Sequence, residues 1–370
     1  MRIVYVLTSL GMGGAERQVL ALAERMAARS HHVSIMVLRP VLREQWPTAL
    51  PVIHLNIRKN PLNLLAGFAI AVRFLHDFKP HLLHGHSFHA NLVARLLKIF
   101  APSIAIISTV HNVYEGGWLR MLAYWMTDRL SRRTVAVSEA AADRFVRLKV
   151  IPRSKCVVIT NAIDLSEFVP HPTRRIATRA TMSAGTDFIW LAAGRIVPAK
   201  DFPNLLRAFD IVRADQPDTQ LWIAGEAPNE ELSPIKSFAV RGHKGFMDCV
   251  RWLGLRRDMP ALFDAADAFV LSSAWEGMPL VVGEAMAMQK PIVATDVGGV
   301  REVVGDCGAL VPAKSSAALA EAMLELMRTP PETRADIGCN ARARIQNHFN
   351  MDAKANEWDQ LYHSVLNQSS

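Results

Sequence analysis

Two doubly wound α/β domains are what this chain of 370 residues predicts. Three observations carry that expectation. The length exceeds one comfortable hydrophobic core. Short β-branched runs alternate with amphipathic stretches of helical period, the pattern of a parallel sheet covered on both faces. That alternation halts over residues 166–187, "SEFVPHPTRRIATRATMSAGTD", and then restarts.

The first alternation supplies the strand candidates "RIVYVLT", "VSIMVL", "VIHL", "HLLH", "IAIIST", "TVAV" and "CVVIT", with helical stretches over 15–29, 62–77, 87–99 and 118–131. The halt lacks apolar periodicity and holds two prolines, so it reads as an interdomain connection. We place the first domain at 1–168, the connection at 169–185 and the second domain at 186–348. The second alternation runs through "FIWLAAG", a helix from about 202, "QLWIAG", "CVRWLG", "AFVLS", "PIVAT" and "GALV". In such sheets ligands lie outside the carboxyl ends of the strands, in a cleft, which fixes where functional motifs must fall.

Bulk properties narrow the function. Half the residues are apolar and 21% are charged, an ordinary globular profile. Cys156, Cys249, Cys307 and Cys339 are scattered with no zinc spacing, so free thiols in a reducing cytosol are expected. "MRIVYVLTSLGMGGA" superficially resembles a signal peptide, but a buried strand entering a glycine turn explains it better. No apolar run reaches the roughly 18 residues a membrane span needs. Residues 1–170 carry 21 Lys and Arg against 10 Asp and Glu, whereas the remainder carries 21 against 24. A basic first half points to an anionic partner or simply to solubility.

Three motifs carry chemistry. In "TSLGMGGAERQ", Gly11, Gly13 and Gly14 make a tight turn between a strand and a helix. The backbone there can approach an anion, although Glu16 stands where a dinucleotide fingerprint has its third glycine and Arg39 where that fingerprint wants an acid. In "GRIVPAKDF", Arg195 and Lys200 follow a strand and suit a diphosphate, and Asp201 is placed to cap the next helix. In "EGMPLVVGEAM", Glu276 lies in a loop and Glu284 more than a turn into a helix, with Pro279 at that helix's first turn. Gly277 and Gly283 leave room for a ligand along this edge. Carboxylates beside such an apolar run need partners, and each can accept two hydroxyl hydrogen bonds from a polyol. His84, His86 and His89 have an HxHxxH spacing, but no carboxylate accompanies them, so cleft lining or structure is favoured over a metal.

These motifs, with "HGHSFHANLVARL", "STVHN", "AVSEAAADRF" and "PIVATDVGGVREVV" in the same order, resemble the family 4 glycosyltransferases. The resemblance runs from the first strand to about residue 365. It implies the GT-B fold, two Rossmann-like domains facing a cleft, with a C-terminal helix over about 350–366 crossing back to the first. It also implies transfer with retention of anomeric configuration. Arg195 and Lys200 match the cations on the donor's diphosphate, Glu276 the acid on the donor sugar, and Glu284 the acid on the ribose. Gly277, Met278, Leu280 and Val281 match the backbone bordering sugar and phosphates. Gly13 and Gly14 match the loop on the phosphate and acceptor side, and His111 the histidine facing the reacting sugar. Leu253 to Arg256 are assigned to the base. Ala162 and Ala227 depart from the family's usual glycines, which puts local loop geometry in doubt.

The resulting expectation is a cytoplasmic enzyme, peripheral on the inner face of the plasma membrane. It moves a hexose or N-acetylhexosamine from a UDP-sugar to a glycan or polyprenyl-diphosphate-linked glycan in bacterial surface polysaccharide synthesis. No cofactor or metal is expected, because no DxD pair is present, and no nucleic acid. The alternatives are a nucleotide-sugar epimerase or phosphorylase of the same fold, or an inactive sugar-nucleotide-binding protein.

Overall fold

In a computed structural model of the protein, residues 1–41, 45–58, 60–226 and 246–367 are described; Ala227 lies outside them. The chain forms two compact units, Met1–Ala162 with Met351–Ser370, and Ile163–Asn350.

In the first unit, strands β1 (Arg2–Leu7), β2 (His32–Val37), β3 (Val52–His54), β4 (Leu82–His86), β5 (Ala105–Val110), β6 (Arg133–Ala136) and β7 (Cys156–Val158) form a sheet in the order β3-β2-β1-β4-β5-β6-β7. All neighbours are parallel. Helices α1 (Gly14–Ala28), α2 (Pro61–Phe78), α3 (Phe88–Leu97), α4 (Trp118–Thr127) and α5 (Glu139–Arg147) connect them. Alternation along β1 sends Ile3 and Tyr5 to one core and Val4 and Val6 to the other. Both faces are covered, so the strands read as unbroken apolar runs rather than alternating ones. The helix expected over 118–131 ends at Thr127 and tightens into a 3₁₀ turn, Asp128–Leu130.

The second unit contains α6 (Pro172–Thr181), β8 (Phe188–Ala193), α7 (Phe202–Asp215), β9 (Thr219–Ala224), α8 (Phe246–Cys249), β10 (Val250–Gly254), α9 (Met259–Ala265), β11 (Ala268–Leu271), α10 (Leu280–Ala287), β12 (Ile292–Thr295), α11 (Val300–Val304), β13 (Ala309–Val311), α12 (Ser316–Arg328) and α13 (Pro331–His348). Its sheet order is β10-β9-β8-β11-β12-β13, again parallel. The last helix, α14 (Met351–Asn367), belongs to the first unit. Trp358 and Tyr362 enter the core beside α1, where the Tyr362 and Tyr5 hydroxyls lie 3.1 Å apart.

One expectation is corrected here. Residues 169–185 are not a bare connection: they contain α6 and fall inside the second unit. No residue of α6 is buried, which is why no apolar period marks it. It is held by arginines instead. Arg175 donates to the carbonyls of Asp264, Ala265 and Ala266 at 2.9, 3.0 and 2.8 Å, and to Asp267 at 2.6 Å. Those carbonyls are the unsatisfied C-terminal groups of α9, where a cation is favoured. Arg174 pairs with Asp264, and Arg179 with Asp267.

Candidate active site

Both sheets reverse their strand order at one point, between β1 and β4 in the first unit and between β8 and β11 in the second. The expected motifs follow these strands. β8 leads into Gly194, Arg195 and Lys200, and β11 leads into Ser272, Ser273 and Glu276.

In the second unit the structure joins Lys200 directly to Glu276. Lys200 Nζ donates to Glu276 Oε1 at 2.5 Å, and Ser273 Oγ donates to the same oxygen at 2.6 Å. Glu276 is 8% exposed, so its charge is satisfied where water cannot reach it freely. The backbone is tied as well: Ser272 Oγ donates to the Lys200 carbonyl (2.8 Å), and the Ala274 N–H to the Ala199 carbonyl (2.8 Å). Asp201 caps α7 as expected, accepting the Asn204 N–H, and does so from a left-handed backbone at φ +44. Arg195 is exposed on the same loop.

Glu284 lies on α10 at 6% exposure, among buried Val282, Ala285 and Met286. Met278 is buried, and the Gly277 carbonyl accepts the Gly299 N–H at 2.7 Å. Helix α10 begins at Leu280, so Pro279 is its N-cap rather than its first helical residue. The N–H groups of Leu280 and Val281 fall in the first turn, which has no intrahelical acceptors. Gly283 differs from expectation. A Cβ there would sit 2.9 Å from the Ile163 side chain, so its small size admits a neighbouring side chain, not a ligand. Gly298 does the equivalent for the Glu276 loop: at φ +54, a Cβ would lie 2.0 Å from the Glu276 carbonyl oxygen. Leu253 is half-buried on β10. Arg256 is turned onto Asp258 through two hydrogen bonds of 2.8 and 2.6 Å.

In the first unit, Gly13 is the N-cap of α1 and Gly14 its first residue. Neither they nor Gly11 has a left-handed backbone, so the turn they make between β1 and α1 does not rely on positive φ. A Cβ at Gly13 would lie 2.3 Å from Glu16 Oε2, the movable end of a side chain that folds back over the loop. His111 follows β5. Its Nε2 meets His86 Nδ1 at 3.0 Å, and its backbone N–H donates to Glu115 Oε1 at 2.9 Å. Burial lowers the His111 imidazole to about 4, so it is neutral at pH 7. Burial raises Glu115 to about 7, against the hydrogen bond donated by the Tyr124 hydroxyl at 2.6 Å. The HxHxxH trio is divided between strand and helix. His84 bonds Tyr362 and Thr109 in the β4 core, His86 bonds His111, and His89 is exposed on α3.

Ser272, Ser273, Gly298 and Glu115 were not singled out from sequence. The doubled serine directly after a strand was the available signal. Nothing local marks Glu115 as the carboxylate beneath His111.

Comparison with known proteins follows the same division. Residues 12–167 match the family described as Glycosyltransferase Family 4, and residues 187–329 that described as Glycosyl transferases group 1. The UDP-Gal:alpha-D-GlcNAc-diphosphoundecaprenol alpha-1,3-galactosyltransferase of Escherichia coli is 23% identical over 327 residues, 84% of this chain and 81% of that protein. A D-inositol 3-phosphate glycosyltransferase of Pseudarthrobacter chlorophenolicus is 35% identical over 249 residues, 64% of this chain and 54% of that one. The structure of Anabaena HepE with UDP and glucose is similar at a TM-score of 0.87 and 21% identity, over 98% of this chain and 100% of that one, a likeness of fold. With one such family matching each half of the chain, in order and over most of its length, the protein belongs to the family 4 glycosyltransferases.

Proposed function

We propose that the protein transfers a hexose or N-acetylhexosamine, with retention, from a UDP-sugar to a hydroxyl of a glycan or polyprenyl-diphosphate-linked glycan. The observation that carries this reading is the Lys200–Glu276 pair at the adjoining ends of β8 and β11, with Glu284 on the helix that follows. Such strand ends are where an α/β sheet binds nucleotides. Glu276 accepts hydroxyls of the transferred sugar, and Glu284 those of the ribose. Arg195, Lys200 and the N–H groups at the start of α10 stabilise the leaving diphosphate. The bond from the anomeric carbon to the diphosphate oxygen breaks. The acceptor hydroxyl attacks from the same face, and its proton passes to the departing phosphate oxygen. His111, held neutral by burial, offers the reacting sugar a hydrogen bond rather than a charge. Gly13 and Gly14 serve the phosphate and acceptor side, and Leu253 the base. Arg256, already engaged by Asp258, contributes through its backbone. No metal is required, since cations of the chain neutralise the diphosphate.

A donor of this kind is supported by the UDP and UDP-glucose complexes of Anabaena HepE. A lipid-linked acceptor is supported by the name of the Escherichia coli relative. No described helix is long and apolar enough to cross a membrane. The exposed Trp118, Leu119, Trp125 and Met126 of α4 support a placement of the enzyme against the anionic cytoplasmic bilayer surface. The test incubates the protein with a panel of UDP-sugars and follows UDP release with and without polyprenyl-diphosphate-linked glycan. Acceptor-dependent release is expected. Conversion of the UDP-sugar to its epimer without acceptor and without net UDP release, or product formed only with free phosphate, overturns transfer in favour of an epimerase or phosphorylase. UDP binding without turnover indicates an inactive binding protein.

A further inference from the structure

We infer that Ser273 is the positioning residue for Glu276, fixing which carboxylate oxygen faces the donor sugar. Glu276 Oε1 receives both Lys200 Nζ, at 2.5 Å, and Ser273 Oγ, at 2.6 Å. One carboxylate oxygen has two lone pairs, so these donors saturate it and leave Oε2 to accept from a ligand. Ser273 is fully buried and is itself held: its carbonyl accepts the Thr295 hydroxyl at 2.7 Å, which ties the end of β11 to the end of β12. The preceding residue, Ser272, holds the other arm by donating to the Lys200 carbonyl. Two consecutive hydroxyls thus orient the acid and the cation from one strand end.

The serine has a role that Lys200 cannot fill alone. An arriving diphosphate competes for the lysine's three N–H donors. A neutral buried hydroxyl is not drawn away by that charge, so the Ser273 bond persists and keeps Glu276 in register. The competing explanation is a local contact, three residues apart, that merely stabilises the loop. It makes different kinetic forecasts.

The inference rests on Glu276 binding the transferred sugar, so the full-length protein is compared with Ser273→Ala and Glu276→Gln in parallel. UDP release is followed from UDP-glucose or UDP-galactose, whichever the wild type turns over. Ser273→Ala is expected to lower kcat roughly tenfold, the scale of one hydrogen bond, with the donor KM within about twofold. Ser273→Thr, which restores the hydroxyl, should recover most of the rate. Should its methyl not be accommodated, Ser273→Cys decides: the thiol fills the space but donates weakly, so parity with the alanine variant supports positioning. An unchanged kcat in Ser273→Ala, or a loss that falls on the donor KM rather than on kcat, overturns it while leaving the assignment of Glu276 intact. Full activity in Glu276→Gln, or no turnover by the wild type, overturns that assignment and the inference together.

Discussion

At the scale of single residues, the roles proposed for the two glutamates differ in what each would touch. If Glu284 holds only ribose hydroxyls, it contacts a part of the donor that does not change during transfer. Glu284→Ala should then raise the donor KM more than it lowers kcat. If Glu276 holds the sugar that acquires positive character, its hydrogen bonds strengthen in the transition state. Glu276→Gln should lower kcat by roughly two orders of magnitude. Glutamine is the better probe than alanine, because truncation would leave the partly buried Lys200 ammonium, 18% exposed, without its partner. Steady-state kinetics with UDP-sugar, alongside thermal unfolding with and without UDP, checks both. Equal loss of stability with no split between kcat and KM would mark the pair as structural. The motif showed that these acids needed partners. That Lys200 is one of them could not be read from residues 76 positions apart.

At the scale of elements, α4 and α6 share one property. An amphipathic period reports which face is buried, and these helices bury almost none. In α4 only Tyr124 is buried, whereas Trp118, Leu119, Trp125 and Met126 are each at least 60% exposed. Arg120, Arg129, Arg132 and Arg133 lie on or just beyond it, which is the composition of an interfacial helix. Full-length protein should sediment with vesicles containing anionic lipid at low salt, and Trp118→Ser with Trp125→Ser should weaken that severalfold. Equal sedimentation with neutral vesicles, or none with either, would reject the surface. In α6 the anchors are arginines. Arg175→Ala removes one donor from each of three carbonyls at the C-terminal end of α9, two of which keep Arg179 or Lys290, and should cost about 1 kcal/mol. Urea unfolding reads that loss, and an unchanged midpoint would mean that α6 contributes nothing to the second unit's stability.

At the scale of the whole molecule, two groups in the first unit give opposed pH dependences. Glu115 is raised from 4.5 to about 7, so its contribution to stability is full below 4.5 and is lost as pH rises through 7. His111 is lowered from 6.5 to about 4, so its contribution is present above 6.5 and is lost as pH falls toward 4. Across the shared window the slopes offset one another. Glu115→Gln removes the first, so its stability relative to wild type should rise between pH 5 and 7 by on the order of 2 kcal/mol. Parallel melting-temperature profiles for the two proteins would show that Glu115 ionises normally. Turnover should also survive EDTA, with the diphosphate neutralised by Arg195 and Lys200. Activity lost to chelator and restored by Mn²⁺ or Mg²⁺ would mean that the phosphate site has been misread.

The sequence by itself determined the two parallel sheets, the strand ends that carry the candidate site and the family, because period, strand-end glycines and motif order are local properties of the chain. Tertiary structure alone decided three things. It set Ser273 and Lys200 on one oxygen of Glu276, and Ile163 in the space left by Gly283. It also folded Pro172–Thr181 into the second unit. Each depends on groups distant in sequence or on hydrogen bonds to bare carbonyls, and neither leaves a periodic trace in the order of side chains.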